Sequence, residues 1–112
     1  MKITDEMIDQ GYKLMIAAIT KSNLCNFVSG VRYEGCSISE RDGLITYHSS
    51  HTSDVFGGGI TSHVTIKIED NGSMRASKNI IFAGQTDNRD QLLGTAQLFW
   101  KETGWKVDAY NS

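Results

Sequence analysis

Ile60, Ser62, Val64, Ile66 and Ile68 share one parity of the chain, and Thr61, His63, Thr65, Lys67 and Glu69 share the other. Successive side chains of a strand point to opposite faces, so this alternation predicts a strand with one buried and one wet face. Val31 to Ser39 and Leu44 to His48 predict two more strands, joined by a Glu40-Arg41-Asp42-Gly43 turn in which Asp-Gly is the strongest local sign. Met74 to Phe82 predicts a fourth, reached through Asp70-Asn71-Gly72-Ser73. Two registers compete across that turn. Pairing Asp70 with Ser73 sets Arg75 and Ser77 on the face of Ile66 and Ile68. Pairing Asp70 with Met74 sets Ala76, Ile80 and Phe82 there instead. A one-residue slip inverts every side chain, so the second register, with a three-residue loop, is expected. It leaves Lys78 on the apolar face, near the end of the sheet.

At both ends of the chain the period lengthens to that of a helix. Thr4 is a good N-cap for a helix running to about Lys21, with Asp5 and Glu6 suited to its positive end. Ile3 and Ile8 occupy the hydrophobic-staple positions. Ile8, Tyr12, Met15 and Ile19 form a stripe, flanked by Leu14 and Ala18. Gly11 inside this helix costs about 1 kcal/mol against Ala, which suggests that another element approaches there. A second helix is expected from about Arg89 to Thr103, capped by Asn88, with Gln91 at the reciprocal position of a capping box. Its stripe is Leu92, Ala96 and Phe99, with Leu93 and Trp100 alongside. Gly104 stands at C′, and Trp105 at C″ is expected to pack on Trp100 in a Schellman ending. Trp105, Val107 and Ala109 alternate as a short last strand. The result is one α+β domain over residues 1–112: an antiparallel sheet of four or five strands with N- and C-terminal helices packed on one face.

Composition narrows the function. The chain has 112 residues, 39% hydrophobic and 21% charged, enough for a core without disulfide or metal staples. Its longest apolar runs, Leu14 to Ile19 and Ile80 to Ala83, fall far short of the roughly 20 residues of a membrane span. Met1 to Glu6 has no apolar segment of a secretory leader. A cytoplasmic protein with no membrane partner is expected. Eleven basic residues scattered among thirteen acidic ones give a net charge of −2, and the lack of a basic stripe argues against a nucleic-acid partner. Cys25 and Cys36 are expected as free, buried structural thiols.

The chemistry-bearing stretch is His48 to Gly59, read as a long loop between two strands. If those strands pair, His48 and His63 come together, and His48, His51, Asp54 and His63 offer imidazole and carboxylate ligands to a Zn²⁺-like ion. The His-x-x-His spacing lacks the helical i, i+4 geometry of the zincin motif. Gly57 to Gly59 resembles an anion cradle only in composition, because neither a Lys-Ser/Thr pair nor a helix follows. Cys36 or Cys25 with His48 and Asp54 carries no nucleophile elbow or cysteine-protease signature. No cofactor is expected. Trp105 and Tyr110 read equally as interface anchors or sheet cover, whereas Phe99 and Trp100 read as structural. The function expected is that of a small non-enzymatic binding protein acting on a larger protein, as an inhibitor, immunity factor or antagonist. His48, Ser50, His51, Asp54, Val55 and Phe56 are its expected contacts. The alternative is a metal-dependent or small-molecule-binding protein built on the histidine set. A homodimer formed through an edge strand is a third expectation.

Overall fold

A computed structural model of the chain describes residues 1–21, 28–53, 59–82 and 89–110. The elements are α1 (Asp5–Lys21), β1 (Val28–Ser39), β2 (Leu44–Ser53), β3 (Gly59–Ile68), β4 (Met74–Phe82), α2 (Arg89–Thr103) and β5 (Lys106–Tyr110). Thr4 starts α1 as its side chain allows: the Met7 amide donates to Thr4 Oγ1 at 3.2 Å and the Ile8 amide to the Thr4 carbonyl at 3.1 Å. Ile3 is buried and Ile8 packs against the same core.

The five strands lie in the order β1-β2-β3-β4-β5. The first three pairings are antiparallel and the last, β4 with β5, is parallel. An antiparallel sheet throughout was expected, and the fifth strand departs from it. Tight turns return the chain antiparallel, but α2 fills the connection between β4 and β5, and a helical crossover brings the next strand in parallel.

The β3–β4 register keeps the expected parity and shifts by two residues. The last ladder pair is Ile68–Met74, and Glu69 and Ser73 extend it by one backbone hydrogen bond, so the loop is three residues long as expected but spans 70–72 rather than 71–73. Its polar groups explain the shifted loop. The Glu69 amide donates to the Ser73 carbonyl at 2.9 Å, and Asn71 Oδ1 accepts from the Ser73 amide at 3.0 Å and from Ser73 Oγ at 2.7 Å. Parity survives, so Met74, Ala76, Lys78 and Ile80 share the face of Ile68, Ile66, Val64 and Ser62. Lys78 stands in mid-strand opposite Val64, not at the sheet end, with its ammonium 5.8 Å from the centroid of the Trp105 ring. A cation over an indole face is favourable at that range.

The core joins Met15 of α1, Ile45 and Tyr47 of β2, Val64, Ile66 and Ile68 of β3, Ile80 of β4, Ala96 and Phe99 of α2, and Trp105. Gly11 is where β2 reaches α1: a Cβ there would stand 3.1 Å and 3.2 Å from Cε2 and Cζ of Tyr47. The Tyr47 hydroxyl donates to the Ile8 carbonyl, tying ring to helix. Tyr12, expected in the core stripe, lies at its rim and meets Tyr33 and Tyr47 edge to face, with centroids 5.2 Å and 6.2 Å apart.

α2 ends differently from the Schellman expectation. Gly104 takes φ +75°, and its amide donates to the Trp100 carbonyl at 2.8 Å. That single 5→1 bond is the simpler left-handed cap. The Trp105 amide, which a Schellman ending would send to the same carbonyl, donates instead to Thr103 Oγ1 at 3.1 Å. Trp105 then turns into the core at 0% exposure while Trp100 remains 64% exposed, so both the Trp100–Trp105 contact and the structural reading of Trp100 are corrected. No helix among the described residues is long and apolar enough to cross a membrane.

Candidate functional site

β2 and β3 extend through most of the segment read as a loop. Register pairing continues from Leu44–Lys67 through His48–His63 and His51–Ile60 to Thr52–Gly59. The loop reading of His48 to Ser53 is therefore corrected to strand. Ser-Ser-His-Thr-Ser has little strand propensity of its own, but cross-strand partners and burial override local preference in sheets. Asp54, Val55, Phe56 and the first two glycines of the run lie outside the described residues, as do Cys25 and Asn88. Of Gln91, Leu92 and Tyr110 only the backbone is described.

Strand geometry divides the histidines. His48 and His63 are an opposite pair on the wet face, with ring centroids 4.6 Å apart and planes at 86°. Ser37 Oγ of β1 lies 2.9 Å from His48 Nε2. Half-buried Thr46, Ser50, Thr61, Thr65 and Lys67 share this face. Thr46 and Thr65 meet hydroxyl to hydroxyl at 3.2 Å, and Ser50 Oγ donates to Glu34 Oε1 at 2.8 Å. The wet face is thus a field of hydroxyls and imidazoles.

His51 belongs to the other face. It has the parity of Ile45, Tyr47 and Ser49 and is only 5% exposed. Its Nε2 lies 2.6 Å from Ser62 Oγ, and Ser62 Oγ is 3.4 Å from the Ser49 carbonyl. Ser49, His51 and Ser62 form a buried polar extension of the core, where each group needs a partner because solvent cannot supply one. The four-residue metal set is therefore corrected: His51 cannot join His48 and His63 through the sheet, and no group of three or more metal-ligating side chains occurs among the described residues. Burial also removes His51 from the expected partner contacts. The sequence held a signal for this, since Ile45, Tyr47, Ser49 and His51 continue one parity.

Cys36 is a free, exposed thiol, which corrects the expectation of a buried one. It pairs with Tyr47 on the inward side of the sheet, opposite to His48, so the two make no catalytic dyad.

An apolar strip that the sequence did not mark runs beside Cys36. On β1, Tyr33 is 44% and Ile38 45% exposed although both have the inward parity of Ser49 and Ile45. Tyr12 and Ile16 of α1 are exposed alongside. Burial, then the Cys36 thiol and the Tyr12 phenol, push the Tyr33 hydroxyl above its ordinary pKa. β1 has β2 on one side and is a sheet edge on the other. A shallow depression of about 480 Å³ on another part of α1 is lined by Gln10, Lys13, Leu14, Gly72 and Met74.

Comparison with known proteins supplies no family: no protein-family model matches the chain, and no curated protein and no solved structure matches it significantly.

Proposed function

We propose that the chain is a non-enzymatic binding protein that inhibits or modulates a larger protein, and that the partner docks along β1. The supporting observation is the strip of Tyr12, Ile16, Tyr33 and Ile38 beside an open edge strand. In this reading both helices pack on the sheet face that carries Tyr47 and Val64, and although Tyr12 of α1 meets Tyr33, Tyr33 and Ile38 stay exposed. A partner strand added to that edge gains main-chain hydrogen bonds, and its side chains cover the tyrosine and isoleucine row. Register shifts between Ser29 and Arg32 and between Tyr33 and Gly35 kink the edge. Such bulges discourage strand addition at the irregular positions, whatever the incoming chain, and leave Gly35 to Ser39 as the regular stretch of the edge. His48 and Ser50 on the wet face of β2, and Asp54, Val55 and Phe56, which fall between β2 and β3 in the sequence, remain as outlying contacts.

The test is capture from native lysate with the tagged protein, followed by affinity measurement on the purified pair. One stoichiometric partner is expected, its affinity falling at least tenfold with Tyr33→Lys and Ile38→Lys combined and little changed with Trp100→Ala. A partner insensitive to the β1 change but lost with Asp54→Lys and Phe56→Ala would move the interface to the β2–β3 connection. A dimer in sedimentation that the β1 change dissociates would replace the foreign partner with a second copy.

A further inference from the structure

The Ile68 amide donates to the Gly43 carbonyl at 2.8 Å, in line with the β2–β3 register that begins at Leu44–Lys67. Hydrogen-bonded and non-hydrogen-bonded pairs alternate along an antiparallel ladder. Ile45–Ile66 and Tyr47–Val64 are therefore hydrogen-bonded pairs, and Thr46–Thr65 and His48–His63 are non-hydrogen-bonded ones. In the latter kind the Cα atoms stand about 4.5 Å apart and the side chains are at their closest. The 3.2 Å approach of the two threonine hydroxyls shows that closeness one pair along. At the next pair it brings two imidazoles together on the wet face.

We propose that His48 and His63 form a two-imidazole site for a divalent transition-metal ion, with Cu²⁺ bound most tightly and Ni²⁺ and Zn²⁺ less so. Imidazole suits all three ions, and the affinity of a given donor set rises from Ni²⁺ to Cu²⁺ and falls again at Zn²⁺. Metal–nitrogen bonds of about 2.0–2.1 Å place two ligating nitrogens about 3 Å apart. Rings whose centroids are 4.6 Å apart reach that spacing by turning about χ1 and χ2, with no backbone movement, because both sit on paired strands. The ion replaces the present edge-to-face contact. Where His48 ligates through Nδ1, Ser37 Oγ stays in place to accept from Nε2–H, the kind of outer hydrogen bond that fixes the tautomer of a metal-bound imidazole. Asn79 stands opposite His63 on β4 and lies in the same row. Two protein ligands leave several coordination positions to water, so the site is an exchangeable one open to a further ligand. It shares His48 with the outlying partner contacts but not the β1 strip that carries the docking proposal, so either reading can fail alone.

The experiment titrates the untagged full chain with Cu²⁺ alone and, separately, with Ni²⁺ alone, followed by calorimetry and by NMR of the histidine rings. One equivalent is expected, tighter for Cu²⁺, with paramagnetic broadening of the His48 and His63 ring signals well ahead of buried His51. His48→Gln and His63→Gln should each weaken binding roughly tenfold or more, by similar factors, while Thr46→Ala and Cys36→Ser retain it. Circular dichroism confirms that each variant is folded. Absence of stoichiometric binding, broadening that spares the pair, undiminished affinity in either glutamine variant, or loss of binding in Cys36→Ser would each overturn the proposal.

Discussion

Gly11 and Gly94 both interrupt helices, and their surroundings give them opposite consequences. A Cβ at Gly94 meets nothing within 4 Å, whereas one at Gly11 drives into the Tyr47 ring. Gly94→Ala should raise stability by about 0.5–1 kcal/mol through helix propensity alone. Gly11→Ala gains the same propensity but must displace a ring that is 1% exposed, and overpacking of that kind costs about 1–3 kcal/mol. Urea midpoints at constant m-value separate the two, and a stabilised Gly11→Ala would contradict the close packing. The sequence marked Gly11 as a point of close approach, but which element approached was a tertiary fact. Tyr47 itself makes a prediction about pH. Burial chiefly, then the neighbouring Cys36, Tyr33 and Asp9 charges, push its hydroxyl up to about 12, against a smaller opposing effect of the Tyr12 backbone. The native state thus holds this proton more tightly than the unfolded chain. The contribution to stability is complete below pH 10 and is lost as the pH rises toward and through 12. Tyr47→Phe should cost about 1 kcal/mol near neutrality and flatten the alkaline limb of the stability profile. Parallel alkaline limbs for both proteins would remove Tyr47 as the cause.

Elements with a strong period were legible, and those whose ends depend on partners were not. The alternation of β3 and the 89–103 span of α2 follow from sequence because apolar spacing repeats through them. β2 was cut short at His48 because the rest of the strand, through Ser53, is polar, and only its pairing with β3 makes it a strand. The β3–β4 connection kept its parity, which burial enforces, and its three-residue length, but sits one residue earlier, where Asn71 holds Ser73 through its own hydrogen bonds. The end of α2 supplies the sharpest contrast. Trp100 read as structural and Trp105 equally as interface anchor or sheet cover, yet one cap hydrogen bond redirects the chain so that only Trp105 enters the core. Trp105→Ala should cost about 3–5 kcal/mol, as large core aromatics do. Its indole nitrogen has no hydrogen-bond partner among the described residues, so Trp105→Phe, which also relieves that orphan donor, should cost distinctly less. Trp100→Ala should stay within about 0.5 kcal/mol of wild type. Acrylamide quenching gives a second readout: the emission that survives quenching in the native state should disappear with Trp105→Phe and persist with Trp100→Phe.

For the whole molecule, the candidate site was legible only as a condition. The sequence could say that His48 and His63 meet if their strands pair, and they do. It could not assign His51 to the opposite face while the strand was read as ending at His48. Topology adds a consequence of its own. Three antiparallel pairings join neighbouring strands, which are local contacts, whereas β5 must return across α2 to pair with β4. Closing that larger loop comes before its contacts can repay it, so β5 docking is the step placed to be slowest. A conventional source of slow refolding is missing, because the 112 residues include no proline. No X–Pro bond can isomerise in the unfolded chain on the 10–100 s timescale typical of that step. Refolding from urea should therefore show no phase whose amplitude grows with the time spent unfolded, and a prolyl isomerase should leave every rate unchanged. Interrupted-unfolding experiments with delays from about one second to several minutes test this directly, bracketing the isomerisation time. If a slower phase appears at constant amplitude, docking of β5 accounts for it, and Trp105→Phe should alter its rate because Trp105 is the buried link between α2 and that strand. A phase that grows with delay would require slow heterogeneity in the unfolded chain from another source, and the attribution to topology would fail.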